Sequence, residues 1–237
     1  MKYKINNEGE YNIFGYYKDI FKKEHKFDLN QIKDAEMYID DMKIEDITHK
    51  IYFPYKKEYT IKLKLFNNNI TNLNYMFSHC ENLISLDFSN FNTDNVTKME
   101  NMFSSCFNLV SLDLSNFNTK NVTKMNAMFN YCNNLETINL SNFKTFNVTD
   151  MSYMFAGCNN LISLDLSHFN TNNVINMERM FSCCKNLIFL DISNFNVVNN
   201  INMKEMFEGC DNLSKIYINK ENYNNFKGYI DEKNFYM

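Results

Sequence analysis

The chain of 237 residues has no tryptophan, a single proline and only five glycines. So little glycine leaves no phosphate-cradling loop and no nucleophile elbow. Turns must then be made by other residues. Asparagine is the abundant candidate, because its short amide tolerates left-handed dihedrals. No run approaches the roughly 18–20 apolar residues that a membrane-spanning helix needs. The first 23 residues hold neither a continuous apolar core nor a small-residue cleavage site. The first cysteine is Cys80, so no early cysteine sits in a lipoprotein-like context. These absences set the expectation of a protein without a transmembrane segment that stays in the compartment where it is made. An intracellular location is expected, with the cell surface, reached by a missing or unusual export signal, as the alternative. A net charge of −4 offers nothing to attract nucleic acid or an anionic membrane. The four histidines, His25, His49, His79 and His168, lie in unrelated contexts. No paired-histidine motif or other catalytic signature is present, so no catalytic residue, metal site or cofactor is assigned and a non-enzymatic role is expected.

What the chain does have is a repeat. A Met-Phe pair recurs at Met76, Met102, Met128, Met154, Met180 and Met206, each step being 26 residues. Cys80, Cys106, Cys132, Cys158, Cys184 and Cys210 keep that step, as do Leu83, Leu109, Leu135, Leu161, Leu187 and Leu213. A strict period of this length is the signature of stacked supersecondary units. The fold expected is a leucine-rich repeat solenoid, in which short parallel strands alternate with short helical or 3-10 turns behind a small N-terminal β cap. Its divisions are an N-terminal capping region (1–66), the repeats with five full coils and two half-coils (67–218), and a C-terminal cap or tail (219–237). Within 1–66, a short helix is expected to start at Asp28. Strands are expected at Met37–Ile39, Ile51–Phe53 and Tyr59–Phe66, with a turn at Asp40–Asp41. In the last strand Ile61, Leu63 and Leu65 alternate with Lys62 and Lys64. Within a coil, Leu86 and Phe88 are expected to point inward, and Ser85 and Asp87 outward. The three- and four-residue steps of Val96, Met99, Met102 and Phe103 read as a helical or 3-10 turn with one buried face.

The unit is spelled out nearly verbatim in Leu109–Cys132, with six Met-Phe and six Cys positions in phase over about residues 70–218. It resembles the 26-residue repeat of the BspA-like leucine-rich repeat surface proteins. That resemblance implies stacked leucine-rich repeats and a role in binding proteins or surfaces, as in bacterial adhesins.

Positions common to every coil are the ones that stacking requires, so they carry little information about function. The cysteine column reads as buried free thiols acting as small apolar side chains. Cys183 is the exception: His79, Ser105, Tyr131, Gly157 and Gly209 fill its slot elsewhere, and so wide a range of sizes suggests solvent exposure. Asn82 and its counterparts read as buried amides that bond the backbone of neighbouring coils. The outward stripe Asp87, Asp113, Asn139, Asp165 and Asp191 is the first candidate for partner binding. Like charges about 5 Å apart repel by roughly 1 kcal/mol even in water, so the stripe either bonds turn backbone and serines or faces a basic partner or cations. Phe107, Phe146 and Phe189, which stand where sister coils have polar residues, are the second candidate. The expected function is a monomeric protein–protein interaction module that binds a protein of unknown identity through the exposed face of its strands. A surface or adhesion protein is the alternative.

Overall fold

The computed structural model describes residues 1–19, 22–66, 69–197, 201–229 and 234–236. Strands dominate. They run β1 (Lys2–Lys4), β2 (Gly9–Asn12), β3 (Tyr16–Lys18), β4 (Glu24–Lys26), β5 (Glu36–Ile39), β6 (Met42–Ile44), β7 (Lys50–Phe53) and β8 (Glu58–Lys64) before the repeats. Then follow β9 (Leu83–Ser85), β10 (Ser111–Asp113), β11 (Thr137–Asn139), β12 (Ser163–Asp165), β13 (Phe189–Asp191), β14 (Lys215–Tyr217) and β15 (Phe235–Tyr236). The one α-helix among the described residues is the four-residue α1 (Tyr223–Phe226). No helix among them is long and apolar enough to cross a membrane.

This architecture corrects the expected leucine-rich repeat solenoid. The strands fall into five small sheets, not one ladder: β6-β5-β8-β1-β9, β10-β11, β12-β13-β14-β15, β2-β7 and β3-β4. Pairing is antiparallel in the first and the last two, and parallel within the repeats. Among the described residues no repeat contains a helical or 3-10 turn, and the two 3-10 turns, Leu29–Ile32 and Lys220–Asn222, flank the repeats. Nor is the N-terminal part a small cap, since eight strands occupy residues 2–64.

The missing helical turns have a hydrogen-bonding cause. Along the Met-Phe segment, main-chain N–H groups alternate in purpose. Those of Met76, Ser78 and Cys80 close local turns onto Leu73, Tyr75 and Phe77, while those of Tyr75, Phe77 and His79 donate to Glu100, Met102 and Ser104 of the next coil. A helix would commit every N–H locally and leave nothing to join the coils. The alternation needs two left-handed residues per coil. One slot holds Tyr75, Asn101, Ala127, Tyr153, Arg179 and Glu205, and the other His79, Ser105, Tyr131, Gly157, Cys183 and Gly209, all with φ between 53° and 74°. The apolar spacing that looked helical thus comes from successive tight turns whose Met and Phe side chains all point inward.

The 26-residue register survives this correction. Single parallel bridges run Asn72–Lys98–Lys124–Asp150–Asn176–Asn202 without a break. Inside them, the rings of Phe77, Phe103, Phe129, Phe155, Phe181 and Phe207 stack as a column at centroid spacings of 5.4–5.8 Å. Buried Thr93, Thr119, Thr145 and Thr171 tie each coil to the next. Thr145 Oγ1, for example, donates to Asn170 O and accepts from Asn170 N, both at 2.8 Å. Val197 holds this slot in the last coil, and there Asn222 Oδ1 accepts the Val197 N–H while Asn225 donates to its carbonyl.

The N-terminal strands engage the first coil through β1, which pairs antiparallel with β8 on one side (Lys2↔Thr60) and β9 on the other (Tyr3↔Leu83). Gly15 donates its N–H to Met76 O at 3.0 Å. A Cβ there would lie 1.7 Å from Tyr75 O, so this close approach requires glycine. The expected strands at Met37–Ile39, Ile51–Phe53 and Tyr59–Phe66 are found, as β5, β7 and β8. Asp40 and Asp41 turn the β5–β6 hairpin with φ of 47° and 68°, the two left-handed residues of a primed turn. At Asp28 a 3-10 turn begins, its carboxylate accepting the Asn30 N–H.

Candidate functional site

Four of the five stripe residues, Asp87, Asp113, Asn139 and Asp165, are exposed, and Asp191 is half-buried. Each does local work first. Its Oδ1 accepts the main-chain N–H of the serine two residues on: Ser89, Ser115, Ser167 and Ser193 at 2.9 Å, and Ser141 at 3.2 Å. The serine N–H and hydroxyl hold the carboxyls of Asp87, Asp113 and Asp165 below the usual range. An asparagine makes the same turn at Asn139, so the turn itself does not require charge. The stripe is also not one acidic ladder: Asp165 stands beside Asp191, but Asp113 stands beside Asn139.

The three aromatic candidates show no ring contact with one another. Phe189 lies on β13, 5.4 Å from the ring of Tyr217, which in turn stacks on Tyr236 at 5.5 Å. Phe146 is exposed in the turn after Thr145, and Phe107 is half-buried after Cys106. Sequence reasoning missed the rest of the apolar run beside Phe189: Ile162, Ile188, Tyr217 and Tyr236 are each 40–57% exposed. Its signal was the slot of Ile84, Val110, Ile162 and Ile188, apolar in four coils although Val110, Ile162 and Ile188 face solvent.

The other singled-out residues have structural duties. All seven cysteines are free, five of them buried, and Cys183 is exposed as expected. Cys106, Cys132, Cys158, Cys184 and Cys210 donate their thiols to the carbonyls of Phe77, Phe103, Phe129, Phe155 and Phe181 at 2.9–3.2 Å. Burial pushes the Cys80 and Cys132 thiols up to about 12. The variable Cys183 slot is explained by its left-handed backbone and not by solvent, since Ser105 and Gly157 in the same slot are buried. Asn108 and Asn212 donate to the carbonyls of Glu81 and Lys185 in the preceding coil at 2.8 Å, from the surface and not from the core. Two histidines unrelated in sequence meet around Tyr17, whose ring lies 4.9 Å from His25 and 4.1 Å from His79. His25 also reaches Asp19 at 3.1 Å and Tyr75 at 3.3 Å. Among the described residues no three His, Cys, Asp or Glu side chains come together as a metal site.

The feature the sequence did not announce is a groove between β11 and β12. These strands belong to consecutive coils, yet they lie in different sheets and stand apart. Elsewhere Leu114 N donates to Asn139 O, Leu166 N to Asp191 O, and Ile192 N to Tyr217 O; among the described residues no such bond joins Leu140 to Asp165. The groove encloses about 340 Å3 and is lined by Glu136–Ser141, Ser163–Asp165 and His168. His168 holds a slot filled elsewhere by Asn90, Asn116, Asn142 and Asn194. Three of those asparagines, Asn116, Asn142 and Asn194, reach a serine carbonyl of the preceding coil, as Asn116 does to Ser89 O at 3.3 Å. The longer imidazole instead meets Leu140 O at 2.9 Å, across the end of the groove. A second break lies between β10 and β9, which pairs with β1 at the end of the first sheet.

No curated protein and no solved structure matches this chain. A family model matches residues 16–136 and again residues 106–221, two overlapping spans that take in all the strands from β3 to β14. The chain belongs to the family described as Mycoplasma protein of unknown function, DUF285.

Proposed function

We propose that this protein is a non-enzymatic interaction module that binds a protein partner through the outward face of its repeat strands. The reading rests on one observation: the exposed Ile162, Ile188, Tyr217 and Tyr236 run beside the half-buried Phe189, with three rings in sequence on β13, β14 and β15. Stacked rings rigidly seated on strands lose little conformational freedom on binding, and aromatic residues anchor protein interfaces. The carboxylates of Asp165 and Asp191 flank the run and would select a partner with basic residues at the rim. In this reading the 26-residue units are of the BspA-like kind, Asp87, Asp113 and Asn139 extend the same face, and Phe107 and Phe146 serve contacts outside it.

Affinity capture with the intact chain tests this. Ile188→Asp with Tyr217→Asp should abolish capture of the partner while leaving the thermal melt within about 1 kcal/mol, as surface changes do. The charge contribution is tested with Asp165→Asn and Asp191→Asn, which keep the turn hydrogen bond as Asn139 does. Capture unaffected by the apolar pair would reject the face.

A further inference from the structure

We propose that the groove between β11 and β12 takes an extended, basic segment of a partner protein, whose main chain pairs with the open strand edges. This rests on the reading of the repeat face as a protein-binding surface and identifies the class of ligand at one place on it. β11 spends its other edge on β10, and β12 spends its other edge on β13, so each turns an unpaired edge toward the groove. Main-chain donors and acceptors arrayed along two parallel edges are complementary to an extended backbone, the mode of strand addition. The lining includes the carboxylates of Glu136 and Asp165 and has no lysine or arginine, which selects a lysine- or arginine-bearing segment.

The internal repeats supply an argument that the opening is particular to this place. The first, second and fourth full coils read Ile or Val, Ser, Leu, Asp, and the fifth differs from them only at Phe189, whereas the third reads Glu136, Thr137, Ile138, Asn139, four departures in a row. The fifth, His168, faces them across the gap. Positions that stacking alone dictates should look alike in every coil, and these five differ where the ladder opens.

The same repeats provide the test. A variant carrying Glu136→Ile, Thr137→Ser, Ile138→Leu, Asn139→Asp and His168→Asn restores the sequence of sister coils, which is already compatible with this fold. It removes one carboxylate and adds one, so the net charge at neutral pH is unchanged. The probe is a fluorescein-labelled octapeptide of alternating lysine and threonine, followed by anisotropy. Controls are the glutamate-threonine octapeptide and the lysine peptide N-methylated at alternate residues. Wild-type protein should bind the lysine peptide saturably, the methylated and the acidic peptides at least tenfold more weakly, and the restored variant should bind the lysine peptide at least tenfold more weakly. Equal binding by the restored variant, or indifference to N-methylation, would overturn the proposal. Such a failure leaves the broader reading standing, because Ile188→Asp with Tyr217→Asp tests partner capture outside the groove lining. Conversely, peptide binding that follows the groove substitutions while capture ignores the apolar pair would reject the broader face alone.

Discussion

Replacing Thr145 with valine isolates the bond that ties one coil to the next. Thr145 is 2% exposed, and its hydroxyl both donates to and accepts from the main chain of Asn170, each at 2.8 Å. Valine keeps the volume and the branching and removes only the hydrogen bonding. Two hydrogen bonds at a net 0.5–1.5 kcal/mol each are lost, and a buried methyl in place of the hydroxyl returns roughly 0.8 kcal/mol. The balance is a destabilisation of roughly 0.2–2.2 kcal/mol, or up to about 9 °C in Tm for a chain of this size. Thermal denaturation by circular dichroism reads the total. Hydrogen exchange reads the cause, since the Asn170 amide loses its acceptor and should exchange about tenfold faster. The natural Val197 supports the logic, because Asn222 and Asn225 take over its main-chain groups in the last coil. A variant with unchanged Tm and unchanged protection at Asn170 would show that the threonine ladder does not hold the coils together.

Ala127 has φ of 53°, where an L side chain costs about 1–2 kcal/mol. Ala127→Gly should therefore be neutral or stabilising by up to about 1 kcal/mol in a denaturant melt, whereas a helical turn would lose that amount. Burial lowers the His79 pKa below its ordinary 6.5. The folded value lies below the unfolded one, so the stabilisation is full above pH 6.5 and is lost as pH falls through the depressed folded value. His79→Gln should flatten the Tm profile as pH falls below 6.5; a profile parallel to wild type would contradict the burial argument. In a native thiol-labelling experiment the exposed Cys183 should react at once, while Cys80, Cys106, Cys132, Cys158 and Cys184 wait for unfolding. Fast labelling of that buried column would count against its packing.

The repeat was legible in the sequence to the residue, because stacking forces the same side chains to the same place every 26 positions. Turn geometry was not legible, although a signal existed. Gly157 and Gly209 in the slot of Cys183 marked a left-handed backbone, but the larger His79 and Tyr131 there suggested solvent instead. Three- and four-residue apolar steps fit a helix and a run of tight turns equally well, and only the division of N–H groups between local and inter-coil partners separates the two. The four strands before residue 27 were overlooked because strands of three or four residues carry little periodicity, though Lys2 and Lys4 do alternate with Tyr3 and Ile5. The aspartate stripe was placed on the correct side of the strand, and its turn-forming duty was one of the two roles considered. The groove was unreadable from any single coil. It emerges only when Glu136–Asn139 and His168, 29 residues from Asn139, are seen to face each other.

The two breaks in the strand ladder also have a mechanical consequence. The bridges from Asn72 to Asn202 form an unbroken seam along one side, while among the described residues strand pairing between coils on the other side runs only within β10-β11 and β12-β14. Bending stiffness is therefore uneven along the long axis. Curvature should concentrate at the two places where strand pairing is interrupted, and the blocks between should move as stiff plates. Anything that fastens the second side between β11 and β12 would straighten the rod there, and anything driven between those strands would bend it further.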